Sequence, residues 1–567
     1  MIRFHPAFPR ASRLARPAPG LMTRPLCLLL LVAGLGPLGA EERPVPRLAV
    51  VVSVDQMRGD YLKRFGPYFG ADGFNRLVRE GADFQNCHYN HAFTITAPGH
   101  ATILSGVNPS AHGIIGNDWR DPASFVGVNA VQDVDSPLVG VAPRGPNAAQ
   151  TGRSPRNFLG TTVGDRLKER YGAAAKVFGV ADKDRSAILM AGAKADGAYW
   201  SVDGKFVTST YYHRELPAWV QEFNAANPPE GYFGRVWERL REVEIYDTVQ
   251  GPDDATGEYS GQGLTRTFPK RIDGGKPEPS NGFLWTLELS PWGNELVAGL
   301  AMRLIESEGL GIDDTPDLLC VGFSQTDRIG HSYGPDSHEV MDSFLRLDQV
   351  LAEFLRYLDQ RVGRDHYVLV LTADHGVGPI PEQTIEKRGA DAAGRISGSK
   401  LEAHVSGALA AAFGPAPEGQ YWALRDGSGY RLNSTVVKHA GADPAKVRAV
   451  LRDALATFPG IADVWTRDQL LGEGALGGYG ERMRLSYNAT RSPDVVFLIQ
   501  PFWLAGTTTA NHGTPYDYDS HVPQVWVGGG FQAGARAERV AVEDLAPTLA
   551  GLLGVELPPE AKGRRLF

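Results

Sequence analysis

The sequence predicts an α/β chain built on a doubly wound, mostly parallel sheet with helices on both faces. Three observations carry this. Short runs of Val, Leu and Ile recur along the chain, and each ends in an acidic, basic or imidazole residue. Uninterrupted apolar runs of this length are strands buried on both faces, as parallel strands are. Stretches with helical apolar spacing separate them, and that alternation marks the architecture. In such sheets ligands bind beyond the carboxyl ends of the strands, where the polar residues fall here.

The elements follow in order. Arg24 precedes the run "LCLLLLVAGLGPLGA", which is followed by "EERP". A basic flank, a short apolar run broken by Gly and Pro, and small residues Gly39 and Ala40 read as a signal peptide over residues 1–40, with Met22 as an alternative start. The run is short for a membrane span. The protein is therefore expected to be exported, periplasmic or extracellular, with no stable membrane anchor. Cys27 lies too early in the run to suggest a lipid anchor. The remaining Cys87 and Cys320 are either a disulfide or two buried thiols. A single catalytic region is expected over 45–567.

"RLAVVVSVD" brings Asp55 to the end of a first strand. In "FTITAPGHATILSG" a β-prone run gives way to Pro98, suited to a first helical turn, and to Gly106, which stops the helix. Thr96 then lies at a helix N-terminus, whose N–H groups favour anions, and is expected both to cap the helix and to act chemically. "AKVFGVADKDR" carries Lys183 and Arg185, two apart in a stretch read as extended, so that they point the same way. Residues 194–290, rich in Trp, Tyr, Gly and Pro and without apolar periodicity, read as a cap-like insertion. "PDLLCVGFSQTD" ends in Asp327, with His331 four residues on. Val340, Phe344, Leu347, Leu351, Phe354 and Leu358 mark one face of a long helix. "HYVLVLTADHG" delivers Asp374 and His375. Residues 395–480, which include "DPAKVRAVLRDALATF", read as an inserted small α+β subdomain. "ANHGTPYDYDSHVP" offers His512 and His521.

Of the 567 residues 43% are apolar and 22% charged, an ordinary globular composition. A net charge of −8 with no long basic run excludes nucleic acid as the main partner. Mixed Asp and His donors suit zinc ahead of manganese or another divalent ion. Each piece alone has a bland reading: Asp-x-x-x-His as a solvated pair, Asp374 as a helix cap, Lys-x-Arg as a solvated charge cluster. Four such pieces at four strand ends are harder to dismiss, because unpaired carboxylates and imidazoles at one sheet edge are costly. A threonine hydroxyl is a poor nucleophile near neutral pH, and a divalent ion changes that by lowering its pKa.

"TAPGHATILSG", "HGIIGNDW", "TDRIGHSYG", "TADHG" and "NHGTPYDYDSHVP", in that order, resemble the alkaline phosphatase superfamily. The similarity is to its type I phosphodiesterase/nucleotide pyrophosphatase branch, and within it to the atypical, phosphate-irrepressible alkaline phosphatases with a threonine nucleophile. It runs from about Arg47 to "DLAPTLAGLLGVELP" near the C-terminus. The resemblance implies two Zn2+ per chain, one held by Asp327, His331 and His512, the other by Asp55, Asp374 and His375 with the Thr96 oxygen. His521 competes with His512 as the last histidine. Asn117, Lys183 and Arg185 match the positions that contact nonbridging phosphate oxygens in the monoesterases. The diesterase flanks "KTFPN" and "HGYDN" are replaced here by "ITAPG" and "HGTPYDYD". The expected activity is therefore hydrolysis of small-molecule phosphate monoesters by a monomer, through a phosphothreonine. The alternative is a phosphodiesterase or nucleotide pyrophosphatase with the same metal pair. A sulfatase would need Cys or Ser at position 96, and a non-enzymatic binding protein would lack a ligand or the nucleophile.

Overall fold

A computed structural model describes residues 45–141 and 152–567, so the expected leader lies outside the described residues. The central sheet has 11 strands. Eight come first in the chain: β1 (Leu48–Val54), β2 (Ala82–His88), the two-residue strand Leu138–Val139, β3 (Val177–Ala181), β4 (Gly197–Val202), β5 (Lys205–Ser209), β6 (Asp317–Phe323) and β7 (Tyr367–Thr372). A smaller four-stranded sheet follows, with β8 (Ala423–Asp426), β9 (Gly429–Leu432), β10 (Ile461–Thr466) and β11 (Val495–Ile499). The chain then returns to the central sheet in β12 (His521–Val522), β13 (Val525–Gly528) and β14 (Gly534–Ala541).

The spatial order is β12, β2, β13, β7, β1, β6, β3, β4, β5 and the two-residue strand Leu138–Val139, with β14 beside β2. The five middle strands, β7 to β4, are parallel. Every residue of β1, β3, β6 and β7 is buried, which is what their unbroken Val/Leu composition requires. On both sides of this block the pairing turns antiparallel, at β7–β13 and β4–β5, and a further parallel pair, β2 with β14, lies at the margin, so the sheet is mixed. Four helices matter for the site: α1 (Thr96–Ser105), α2 (Asp184–Ala191), α3 (Gln325–Tyr333) and α4 (His338–Arg361). Ser337 caps α4 by accepting the Val340 N–H, and the six apolar residues read from its periodicity are at most 2% exposed. Cys87 and Cys320 are free buried thiols on β2 and β6, so the disulfide alternative falls.

Two boundaries differ from expectation. Gly197–Val202 and Lys205–Ser209, inside the stretch expected to form a cap, are β4 and β5 of the central sheet. They are short and aromatic- or β-branched-rich, which is strand composition too brief to show a period. The remainder of 194–290 does not stand apart either: Trp219, Trp237, Tyr246, Phe268 and Phe283 belong to the central core. The smaller sheet, expected within 395–480, closes with Val495–Ile499. That pairing joins segments distant in sequence and leaves no local trace. Its core is separate and includes Leu401, Val405, Tyr430, Leu451 and Phe497.

Buried polar bonds tie the 210–290 region to α4. Trp237 Nε1 and Tyr246 Oη donate to the Asp342 carboxylate at 2.6 and 2.5 Å. Lys270 Nζ is 2.7 Å from Glu339 Oε1, and both side chains are 0% exposed. Burial pushes the Glu339 carboxyl up to about 7, against the pull of Lys270. Removing one partner of such a pair leaves an uncompensated buried charge. Lys270→Met is therefore expected to lower stability by about 3–5 kcal/mol in urea unfolding. Adding Glu339→Gln should recover more than half of that loss.

Candidate active site

The parallel block puts four strand ends side by side. Asp55 follows β1. Asp327 lies in the first turn of α3, with His331 in its last, after β6. Asp374 and His375 follow β7, and Lys183 stands at the start of α2, after β3. Thr96 opens α1, a helix whose ten residues are all buried. A Cβ at Gly99 would meet the Asp374 carbonyl oxygen at 2.3 Å, so the bare backbone of this helix lets Thr96 approach the end of β7. His512 arrives on the loop before β12.

The donor atoms of Asp327, His331 and His512 lie within 4.8 Å of one another, as do those of Asp55, Asp327 and His375. Asp327 belongs to both groups. Asp374 Oδ2 is 3.2 Å from His375 Nε2, and the Thr96 hydroxyl is 3.3 Å from that same nitrogen.

The three histidines share one arrangement. Nδ1 of His331 is 2.9 Å from the Ala510 carbonyl, that of His375 is 2.9 Å from Gly376, and that of His512 is 2.8 Å from Thr94. A carbonyl can only accept, so Nδ1 carries the hydrogen and the neutral ring turns the Nε2 lone pair inward. Those nitrogens face carboxylates: His331 and His512 stand 3.2 and 3.7 Å from Asp327 Oδ1. Asp55 Oδ1 and Asp374 Oδ2 are buried and receive no hydrogen bond. Buried carboxylate oxygens without a hydrogen-bond donor, opposed by imidazole lone pairs, form a donor set for divalent cations.

The electrostatics agree. Burial, with Asp327 and Asp374 close by, raises the Asp55 carboxyl well above its usual range. Burial also opposes ionisation of Asp327, but His331 and Lys183 outweigh it and hold that carboxyl well below. Burial disfavours the His375 imidazolium, yet Asp374 and its neighbours lift it to about 9. A cation drawn by the same negative field competes with that proton. Lys183 supplies positive charge already: its ammonium bridges Asp55 Oδ2 at 2.7 Å and Asp327 Oδ2 at 2.5 Å.

Several expectations need correction. Thr96 does not cap α1. The N-cap is Ile95, with no side-chain bond, and the Ala97 N–H is met at 2.9 Å by Asn117 Oδ1. The Thr96 hydroxyl is thereby left to face His375. Lys183 and Arg185 are not in one extended stretch. Lys183 has extended φ and ψ, whereas Arg185 lies in the first turn of α2, because Asp184 starts the helix. The two side chains part, Lys183 toward the carboxylates and Arg185 into the cavity beside Asn117. His521 lies outside the cluster: its Nε2 is 2.8 Å from the Gln85 carbonyl and its ring stacks on His88.

Two residues that motif reading missed hold the candidate ligands in place. Gln56 has φ +68°, a left-handed conformation that costs a non-glycine residue of order 1–3 kcal/mol. Its amide N–H donates to Asp374 Oδ1 at 3.1 Å, and its side chain donates to Asp327 Oδ1 at 2.7 Å. It spans both ligand groups. His100, one turn after Thr96 on α1, sets Nδ1 2.9 Å from the Thr96 carbonyl and 3.3 Å from Asp374 Oδ2. Its i, i+4 spacing from Thr96 was a readable signal, whereas Gln56 gave none.

The cluster opens into a cavity of about 380 Å³, where Thr96, Asn117, Arg185, Asp327, His331 and His512 face the space. Phe93 and Trp119 flank it, and the β8–β9 turn of the smaller sheet supplies Asp426, Gly427 and Ser428.

A family model for type I phosphodiesterase / nucleotide pyrophosphatase matches residues 49–523. The chain belongs to this family. Within the phosphodiesterase family, it is 34% identical to a protein of Myroides odoratus named calcium-transporting ATPase, over 92% of this chain and 94% of that one. It is 33% identical to alkaline phosphatase PafA of Elizabethkingia meningoseptica, over 94% and 97%. The crystal structure of PafA superposes with a TM-score of 0.84 at 32% identity, covering 92% of this chain and 98% of that one. A PafA variant substituted at a threonine, an asparagine, a lysine and an arginine superposes with a TM-score of 0.85 at 32% identity, with the same coverage. Among the described residues no helix is long and apolar enough to cross a membrane. The family places this chain among enzymes acting on phosphate esters, with a metal-dependent site.

Because Asp327 belongs to both donor groups and His331 to one, their substitutions should differ in kind. Asp327→Asn is expected to strip most bound metal, and His331→Ala only about half, as read by elemental analysis of purified protein. Equal losses in the two variants would contradict the shared-ligand geometry.

Proposed function

We propose that this phosphodiesterase-family chain is an exported, zinc-dependent phosphate monoester hydrolase that works through a covalent phosphothreonine at Thr96. The observation that carries this reading is the buried Thr96 hydroxyl set beside His375 among bare carboxylates. Three aspartates and three histidines suit zinc, and two ions would be held, one by Asp327, His331 and His512 and the other by Asp55, Asp374 and His375, with Asp327 close to both groups. Bound there, the ions would supply Lewis acidity that makes the Thr96 alkoxide attainable and eases departure of the alcohol.

The chain's own residues do the rest. The Thr96 oxygen attacks phosphorus as the ester oxygen leaves with its electron pair, giving phosphothreonine and an alcohol. Water then cleaves the phosphothreonine, releasing inorganic phosphate and restoring Thr96. Asn117, with its Oδ1 bound to the Ala97 N–H, has its amide hydrogens free to hold one nonbridging oxygen. Arg185, part of the cavity wall, offers a fork to the others. Lys183 adds a fixed charge beside them. A monoester dianion needs more positive charge than a diester, and this set supplies it. The names of the relatives support phosphoryl cleavage, PafA as an alkaline phosphatase and the Myroides protein as an ATPase. The four residue types substituted in the PafA variant occur here in the same order as Thr96, Asn117, Lys183 and Arg185, with the same spacing within each pair. Residues 1–40 are read as the export signal, and the protein as a monomer.

Thr96→Ala should lower kcat on an aryl phosphate at least about 10³-fold with metal content unchanged. Arg185→Ala should reduce kcat/KM for the aryl phosphate about 10²-fold or more, and that for its methyl diester less than about tenfold. Equal losses on both substrates would shift the reading to the diesterase alternative.

A further inference from the structure

A second cavity, of about 580 Å³, lies against the smaller sheet and shares no lining residue with the catalytic cavity. Its size is that of a small-molecule site. The floor is apolar, with Leu432 of β9 and Val437 at 7% and 3% exposure. The rim is cationic: Lys438, Arg448 and Arg467 face the single carboxylate of Asp494.

These charges are not matched. Asp494 Oδ2 accepts the Leu432 N–H at 2.9 Å. Nη1 of Arg448 and Nη1 of Arg467 stand 3.9 and 3.8 Å from Asp494 Oδ1, too far to hydrogen-bond. Arg448 has a partner through Nε, which donates to Asp468 at 2.8 Å. Among the described residues the Arg467 guanidinium donates no hydrogen bond, and exposed Lys438 has no acidic partner. Unused donors therefore ring an apolar floor.

We propose that this cavity binds an organic anion with an apolar body, its acid group held by Arg448, Arg467 and Lys438 and its hydrocarbon laid on Leu432 and Val437. An inorganic anion would leave the floor wet, and a neutral apolar molecule would leave the rim donors without an acceptor. The site backs onto the wall of the catalytic cavity. Arg431 lines it, while its Nε and Nη2 donate to Asp426 at 3.2 and 2.8 Å, and Asp426 faces the phosphoryl site. Ser492 and Pro493, just before Asp494, also line the catalytic side. The site is thus placed to feel, and to influence, the wall against which a leaving group rests.

The test is a fluorescence titration of the full metal-loaded protein with 8-anilinonaphthalene-1-sulfonate, with inorganic phosphate present to fill the catalytic site. The expected result is one saturable site, weakened at least tenfold by Lys438→Glu with Arg467→Glu and at least threefold by the milder Lys438→Gln with Arg467→Gln. The neutral N-phenyl-1-naphthylamine should bind at least tenfold more weakly. Activity on an aryl phosphate in both variants reports that the fold is intact. If the charge-reversed variant fails to fold, the milder one decides. Dye binding that does not saturate, that survives loss of the two cations unchanged, or that is matched by the neutral dye overturns the proposal.

Discussion

The structure depends on one electrostatic constraint: three aspartates, Asp55, Asp327 and Asp374, are forced together at the ends of adjacent parallel strands and buried there. Like charges at this separation in a poorly hydrated site repel strongly. The fold cannot relax them apart, since β7, β1 and β6 are locked in register by their ladders. What it can do is surround them with compensation. Lys183 reaches in from the end of β3, three imidazoles turn Nε2 inward, and Gln56 takes up a strained backbone to donate to two of the three carboxylates. The remaining bare oxygens define where cations belong.

The proposed nucleophile follows from the same constraint. A hydroxyl is useful only where positive charge is concentrated, and α1 carries Thr96 to that place. The helix is buried along its length, Gly99 lets it lie against the Asp374 backbone, and Asn117 rather than Thr96 accepts the Ala97 N–H in the first turn. Relieving Thr96 of the capping role is what leaves its oxygen available. The smaller sheet then closes the cavity from the other side through the β8–β9 turn, so residues from distant parts of the chain meet where a leaving group would rest.

The parallel core and the site were legible in the sequence to different degrees. β1, β3, β6 and β7 were readable because strands buried on both faces need unbroken apolar runs, and the clustered carboxylates and imidazoles were readable because most of them follow the ends of those runs. α4 was readable from its long 3.6-residue period. β4 and β5 were not, since five or six residues of mixed aromatic and polar character do not distinguish a sheet margin from an insertion. The closure of the smaller sheet by β11 depends on long-range pairing alone. At the site, the direction of a side chain was the weakest inference: Lys183 and Arg185 diverge because a helix starts between them. Gln56 was invisible, because its value lies in one φ angle and two hydrogen bonds. The choice between His512 and His521 needed coordinates, which set the first against Asp327 and the second against His88.

The central proposal is that two zinc ions, one at each group of carboxylates and imidazoles, would flank the Thr96 oxygen. Anomalous diffraction from crystals of the purified protein, recorded on either side of the zinc absorption edge, measures this directly. Two peaks are predicted, one among Asp327, His331 and His512 and the other among Asp55, Asp374 and His375 beside Thr96. A single peak, or peaks elsewhere in the molecule, would contradict it.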